Sequence, residues 1–190
     1  VAMAVGAGAQ VVVLDTNLET LRQLDKQYGN RIQTRYSTVD TLTAQVLSAD
    51  LVIGAVLIPG AAAPKLVTRS MISAMKAGAV LVDVAIDQGG CFETSKPTTH
   101  AEPTFMVDEV VHYCVANMPG ALARTATLAL NNATLPFVLA LANKGVKQAL
   151  TDDIHLMNGL NVCNGYLTQA NVARDQGIDF KKPEAALALI

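Results

Sequence analysis

The sequence predicts a doubly wound α/β fold, in which helices cover both faces of a parallel sheet. Two observations lead to this class. Short apolar runs rich in β-branched residues alternate with segments of helical periodicity, and these runs are continuously apolar instead of alternating with polar residues. Continuous apolar runs are expected of parallel strands that are covered on both faces.

The apolar runs place the strands, and helical spacing places the helices between them. Strands are predicted at residues 9–15, 30–36, 49–56, 79–86 and 110–117. Leucines three residues apart predict a helix over 18–28, and a second helix is predicted over 64–75, since it opens on a proline and is followed by a glycine.

The chain changes character after the last predicted strand. Residues 120–143 form a long helical pattern that Pro136 should kink or divide. A short apolar helix is predicted over 183–190. We therefore expect residues 1–123 to form the sheet domain and residues 124–190 to form a mainly helical segment of a second domain.

Composition excludes several classes of protein. Hydrophobic residues make up 51% of the 190 residues and charged residues 16%, which is too apolar for a disordered chain. The longest apolar stretch, 121–142, is interrupted by Arg124, Asn131, Asn132 and Pro136, so we expect no membrane span. No basic leader opens the sequence, so we expect no signal peptide.

Charge and cysteine content favour a cytoplasmic protein without a nucleic-acid partner. The net charge is −2, the 14 basic residues are scattered and aromatic residues make up 4%. Nucleic-acid binding would call for a basic stripe or stacking platforms. Cys91, Cys114 and Cys163 lie far apart without C-x-x-C spacing, so we expect reduced thiols and neither a disulfide nor a metal site.

Asp15 ends the first apolar strand and precedes a helix. In dinucleotide-binding folds of the Rossmann type, an acid there binds the adenosine ribose, about 20 residues after a glycine fingerprint. That fingerprint and the first strand would lie ahead of residue 1, so we predict a partial Rossmann domain with a gap in its sheet, in which Gly6 and Gly8 mark a helix end. A turn acid is the alternative for Asp15, and a turn cap is the alternative to an adenine contact for Ser37. The nearest arginine, Arg22, does not follow Asp15 at once, which favours NAD over NADP.

Other strand ends carry small or polar residues on the same predicted rim, where such sheets bind ligands. These are the segment GAVLIPG at 54–60, which is otherwise a plain loop, and Asp87 and Asn117. Asp87 is either a catalytic acid or an Asx-turn residue, and Asn117 has the same ambiguity. His100 lies in a loop, and His112 is interpreted as a strand residue with a satisfied ring.

Several segments together resemble alanine dehydrogenase, namely GAVLIPGAAAPKLVT, MKAGAVLVDVAIDQGGCFETS, PTTH, HYCVANMPG and NNATLPFVLALANKG. The resemblance covers essentially the whole chain. It implies NAD-dependent, reversible oxidative deamination of L-alanine to pyruvate and ammonium by a homo-oligomer, usually a hexamer. Two alternatives stay open. One is the NAD(H)-binding domain of a proton-translocating transhydrogenase, whose motif lacks an acid at the position of Asp87, and the other is a non-catalytic nucleotide-binding module.

The resemblance also implies roles for individual residues. Asp15 resembles the ribose-binding acid, Ser37 an adenosine contact and Asp87 the catalytic aspartate, which also borders the nicotinamide. Asn117 lies close to both cofactor and substrate, and Lys96 stands where the family often has an arginine near the cofactor. The other implied cofactor contacts are Val56, Leu57, Val84, Ala85, Ile86, Val115, Ala116 and Met118.

The resemblance implies that the family's remaining binding and catalytic groups lie ahead of residue 1. These are the substrate-binding arginine and lysine, the catalytic histidine and the glycine fingerprint. We therefore expect this chain to hold the cofactor rim and one catalytic acid, to return to the substrate domain through residues 124–190, and to be inactive alone.

Overall fold

A computed structural model describes residues 1–58 and 60–190 as an α/β protein, as the sequence predicts. The strands are β1 Val11–Asp15, β2 Ile32–Tyr36, β3 Leu51–Gly54, β4 Val80–Asp83, β5 Thr104–Val107, β6 Val110–Tyr113, β7 Val162–Cys163 and β8 Tyr166–Leu167. The helices are α1 Ala2–Gly6, α2 Leu18–Tyr28, α3 Val39–Ser48, α4 Arg69–Ser73, α5 Ala123–Lys144, α6 Val146–Asp152, α7 Ile154–Asn158, α8 Ala170–Gln176 and α9 Pro183–Leu187.

The described strands form two separate sheets and a short hairpin. β1 pairs in parallel with β2, and the larger sheet has the order β3-β4-β6-β5. In the larger sheet β3, β4 and β6 are parallel, and β5 is antiparallel to β6. Within the described residues no ladder joins β1 to β3, and Leu51 and Ile53 of β3 are about half exposed. This arrangement agrees with the predicted gap in the sheet.

Local capping explains why α2 and α3 begin where they do. The Asn17 side chain accepts hydrogen bonds from the backbone N–H groups of Glu19 and Thr20, so α2 begins at Leu18 as predicted. Thr38 and Thr41 form a reciprocal capping box at the start of α3, a helix that the strand and helix assignments from sequence did not include.

The second predicted helix is much shorter than residues 64–75. The chain around Val67 is extended and forms a parallel bridge with Phe92. The Thr68 hydroxyl then accepts a hydrogen bond from the Met71 N–H at 3.3 Å and caps α4. The prediction that a helix begins at Pro64 is therefore wrong, because pairing with the chain after β4 competes with helix formation.

The core of the larger sheet lies between β4 and its neighbouring segments. Its cluster contains five almost fully buried side chains, namely Val67, Ile72, Leu81, Phe92 and Val110. Helix α3 contributes a further buried valine to the same cluster. These contacts fix the strands whose ends carry the predicted site.

Helix α5 differs from the predicted pattern in two ways. It continues through Pro136, which removes one backbone donor without dividing the helix, and the kink at this proline stays a prediction. The stretch Met118–Lys144 is long and apolar enough to cross a membrane by length and composition, and none of its apolar window is buried. The expectation that polar residues divide this stretch is therefore wrong, although length and composition also suit helices of soluble proteins.

The last part of the chain packs around a small cluster of its own. Leu150, Met157 and Leu187 are its buried members, and the last two lie on α7 and on α9, the helix predicted near the end of the chain. A hairpin joins β7 to β8 through Asn164 and Gly165, which both have positive φ, as this kind of turn requires. The boundary between residues 123 and 124 stays a prediction.

Candidate functional site

Parallel strands of the larger sheet release their loops at one edge. β3 ends at Gly54, β4 at Asp83 and β6 at Tyr113, and these three strands are parallel. The segments that follow them contain most of the residues that the sequence singles out. This edge, the carboxyl edge of β3, β4 and β6, is the candidate site.

Asp87 lies on a short 3-10 turn, Ile86–Gln88, and its side chain is exposed. The sequence places it directly at the end of a strand, but β4 ends four residues earlier at Asp83. The strand stops there because the Asp83 carboxylate accepts a hydrogen bond from the Ala85 N–H at 3.1 Å and turns the chain. The turn therefore carries Asp87 away from the buried strand and into solvent.

Asp83 itself is fully buried and surrounded by donors. Besides Ala85, its carboxylate accepts hydrogen bonds from Cys91 N at 2.9 Å, Phe92 N at 3.4 Å, Ser95 Oγ at 2.5 Å and Cys91 Sγ at 3.5 Å. Sequence reasoning treated Asp83 as part of a strand. The signal was available, since an acid inside a continuous apolar run must find several donors to be buried.

Lys65 binds the backbone carbonyl groups of residues 89–92, the loop whose N–H groups bind Asp83. Its Nζ donates hydrogen bonds to the backbone oxygens of Gly89 at 2.5 Å, Gly90 at 2.8 Å and Phe92 at 3.3 Å. The sequence pattern predicts Lys65 within a helix and predicts no functional role for it. Its partners lie more than twenty residues along the chain, so spacing alone gives no signal.

Gln88 joins two of the predicted loops. Its amide Nε2 donates to the Ile58 carbonyl at 3.2 Å, and its Oε1 accepts from the Ile58 N–H at 3.4 Å. Its backbone carbonyl accepts a third hydrogen bond from the Ala63 N–H at 2.9 Å. The chain after β3 is therefore tied to the turn that carries Asp87.

The predicted apolar contacts divide into exposed and buried side chains. Leu57 and Val84 are 73% and 49% exposed, so they offer apolar surface to a ligand. Ala85, Ile86 and Val115 are buried, so a ligand contact at these positions would come from backbone groups. Val56 is half-buried and packs against the core cluster.

The segment after β6 carries Ala116, Asn117 and Met118. Ala116 and Asn117 are exposed and Met118 is half-buried. His100 Nε2 lies 2.6 Å from the Asn117 carbonyl oxygen, and the Asn117 side chain accepts a hydrogen bond from the Gly120 N–H at 3.1 Å. The loop histidine thus contacts the backbone of a predicted site residue.

His112 and Lys96 are occupied by other interactions in the described chain. His112 is a buried β6 residue, as predicted, with its ring nitrogens 2.7 Å from Thr94 Oγ1 and 3.0 Å from the Val110 carbonyl oxygen. Burial lowers the pKa of its imidazole. The Lys96 ammonium lies 4.5 Å from the centroid of the Phe105 ring, a cation–π contact.

Asp15 and Ser37 lie together at the ends of β1 and β2. The Ser37 N–H donates to the Asp15 backbone carbonyl at 3.0 Å. The Asp15 carboxylate accepts a hydrogen bond from the Asn17 N–H at 2.8 Å, which is the turn role that the sequence left open. The pair is placed in the smaller sheet, and its part in binding a ligand stays a prediction.

The three cysteines are free, buried thiols. Burial, together with the nearby Asp83 carboxylate, raises the pKa of Cys91 to about 12. Burial also raises the pKa of Cys114. The thiols of Cys91 and Cys114 therefore stay protonated at neutral pH. In the part of the chain that the structure describes, no group of three His, Cys, Asp or Glu could hold a metal ion.

Comparison with known proteins gives the family. Residues 1–170 match the family model described as alanine dehydrogenase/PNT, C-terminal domain. The chain belongs to this family. Alanine dehydrogenase of Halomonas elongata is 64% identical over 178 residues, which is 94% of this chain and 48% of that protein. The alanine dehydrogenase of Mycolicibacterium smegmatis is 55% identical over 98% of this chain and 50% of that protein.

Two solved structures share the fold of this chain. A structure titled L-alanine dehydrogenase superposes with a TM-score of 0.80 at 50% identity, over 93% of this chain and 48% of that one. A transhydrogenase from Sinorhizobium meliloti superposes with a TM-score of 0.54 at 29% identity, over 63% of this chain and 33% of that one. The chain spans about half the length of the curated relatives described above.

Proposed function

We propose that this chain supplies the NAD-binding rim and one catalytic acid of an enzyme that reversibly deaminates L-alanine to pyruvate and ammonium. The observation that carries the proposal is the exposed Asp87, held on a turn at the carboxyl edge beside the chain that follows β3. Ligands of open parallel sheets bind at that edge. The names and identities of the relatives favour alanine dehydrogenase over transhydrogenase, because the transhydrogenase structure has a lower sequence identity and matches a smaller part of this chain.

The exposed groups at the edge suit a nicotinamide cofactor. Leu57 and Val84 present apolar side chains on which a flat ring can pack, and the backbone of Ala85 and Ile86 lies beside Val84. Asp15 and Ser37 would hold the adenosine end. When bound, NAD supplies the hydride acceptor for the substrate Cα.

Asp87 would handle protons at the substrate nitrogen and at water. Loss of a hydride from Cα and of a proton from the nitrogen converts alanine to iminopyruvate, to which water adds before ammonia leaves. A carboxylate that accepts a hydrogen bond from the amine or the water can orient it and then exchange a proton with it. Asn117, on the neighbouring loop, would contact the substrate, and a histidine outside these 190 residues would share the proton transfer.

Replacement of Asp87 tests this role in the full-length protein. We expect Asp87→Asn to lower kcat for alanine-dependent NADH formation by about 100-fold or more, since positioned acid–base groups contribute factors of that size. NADH binding, followed by fluorescence, should be preserved. Asp40→Asn, a change of an exposed acid in the first turn of α3, is the matched control and should keep full activity.

Two results would contradict the proposal. Turnover of Asp87→Asn at the wild-type rate would remove Asp87 from the mechanism. Absence of alanine-dependent NADH formation by the wild type, together with hydride exchange between NADH and an NADP analogue, would favour the transhydrogenase alternative instead.

The remaining features of the protein are inferred from the same family. We infer a cytoplasmic homohexamer, with residues 124–190 in the substrate domain and with no activity in the 190-residue chain alone. Mass measurement of the full-length protein in solution tests the assembly, and an assay of the purified 190-residue chain tests its inactivity. Alanine turnover by that chain would show that its residues form a whole active site.

A further inference from the structure

We propose that Lys65 and Asp83 are positioning residues. Lys65 binds the carbonyl groups of the loop after the Asp87 turn, Asp83 binds its N–H groups, and together they set the direction of the Asp87 carboxylate. We call this loop, residues 89–92, the clamped loop. The inference rests on the proposed function, because it assigns a task to Asp87. Neither Lys65 nor Asp83 has a functional role in the predictions from sequence.

The two charged groups bind complementary parts of one backbone. The Asp83 carboxylate accepts from the N–H groups of Cys91 and Phe92. The Lys65 ammonium donates to the carbonyl oxygens of Gly89, Gly90 and Phe92. A loop of four residues is therefore bound by a negative group on its donors and by a positive group on its acceptors.

The clamped loop needs this support because of its own composition. Gly89 and Gly90 have φ values of +88° and +76°, which glycine adopts easily. The same freedom lets a glycine pair adopt other conformations unless its backbone is held. Asp83 also lies very close to the loop, since a Cβ added to Gly90 would be 2.7 Å from Asp83 Oδ2. Hydrogen bonds to charged groups are roughly twice as strong as neutral ones.

Asp87 feels the clamp through a short piece of chain. It lies two residues before Gly89, on a turn whose end is closed by a hydrogen bond from the Gly89 N–H to the Ile86 carbonyl at 3.0 Å. A second bond of 3.0 Å joins the Gly90 N–H to the Ala85 carbonyl. Movement of the glycine pair would therefore rotate the turn and shift its exposed carboxylate.

The test uses Lys65→Met and Asp83→Asn in the full-length protein. Lys65 is exposed, so its replacement leaves the core intact, whereas Asp83→Asn changes a buried group and is checked for folding first. For both variants we expect kcat with alanine to fall by about tenfold or more, since small misplacements of catalytic groups have effects of this order. The KM for NAD should change far less, because Leu57, Val84 and Asp15 keep their places.

The decisive measurement is a double-mutant cycle with Asp87→Asn. If Lys65 acts through Asp87, then Lys65→Met lowers kcat in the wild type and has no further effect when Asp87 is already asparagine. Equal fold-losses in both backgrounds would overturn the proposal, and so would wild-type kcat in Lys65→Met. A fall in thermal stability without a change in kcat would also overturn it, since that is the signature of a purely structural lysine.

Lys76→Met is the matched control. Lys76 also makes a hydrogen-bonded contact, to Asp50 at 2.7 Å, but this partner lies just before β3 and not in the clamped loop after β4. Its replacement should leave kcat unchanged. Loss of kcat in this control would contradict the proposal, because the effect would then not belong to the clamped loop. A wild-type protein without alanine turnover would refute the proposed function itself, which keeps the two failures apart.

Discussion

The core of the larger sheet and helix α5 are both apolar, but only the first is buried. Leu81 and Val110 of the sheet core have no exposed surface. Leu130 and Val138 of α5 are 65% and 55% exposed, and no described residue of that helix is buried. Hydrophobic composition alone therefore does not separate a self-sufficient core from an uncovered surface.

This contrast shows where the 190-residue chain stabilises itself. Burial of apolar surface is the main favourable term in folding, so the sheet core can hold the candidate site in place. Helix α5 gains little from burial within this chain. The buried core of the larger sheet thus supports the segments that carry Asp87, Lys65 and Asp83.

The largest expected difference between the two regions comes from truncating one phenylalanine in each. Phe92 is 1% exposed in the core, whereas Phe137 of α5 is 43% exposed. Phe92→Ala should lower the free energy of unfolding of the 190-residue chain by about 3–5 kcal/mol. Phe137→Ala should cost about 1 kcal/mol or less. Urea titration measures both, and equal losses would contradict the contrast.

A smaller effect is expected from added volume at the end of β3. A Cβ on Gly54 would overlap Cys91 Sγ and lie 2.8 Å from Phe92 Cζ. Gly54→Ala should therefore destabilise the chain by about 1–3 kcal/mol through overpacking. Gly6→Ala, where no atom lies within 4 Å of the added carbon, is the control and should not destabilise the chain. A neutral Gly54→Ala would show that the core is looser than its contacts indicate.

The smallest effect is a pH dependence that belongs to the sheet core alone. Burial lowers the pKa of His112, so below about pH 6.5 the unfolded chain binds the proton that the folded chain excludes. Stability should therefore fall as the pH drops through this range, by at most about 1.4 kcal/mol per pH unit for one group.

Urea midpoints measured across that range test the assignment. His112→Gln should remove the slope, whatever it does to stability at neutral pH. His155→Gln, at an exposed position in α7, should keep the slope. A slope that survives His112→Gln would assign the proton to another group.

The sequence predicts the elements whose signal is local. The bounds of α2 follow from leucine spacing and an asparagine cap, and the strand cores follow from β-branched runs. It fails where a distant partner competes, as at residues 64–68, which pair with the chain around Phe92. Strand β5 was missed as well, because its turn uses Asp108 and Glu109 with positive φ instead of the usual glycine.

The sequence indicates exposed residues of the candidate site but not the residues that hold its loops in place. Asp87 stands out because it follows an apolar run at a strand end, and Leu57 is predicted from the resemblance to alanine dehydrogenase. Lys65 and Gln88 do not stand out, because their partners are backbone groups far along the chain. Backbone partners leave no trace in side-chain identity, so only the folded chain shows these contacts.

The Gln88 amide bridges two loops through paired hydrogen bonds with Ile58, in the manner of adjacent strands. Displacement of the chain after β3 would pull on the turn that carries Asp87, because the two hydrogen bonds join these segments directly.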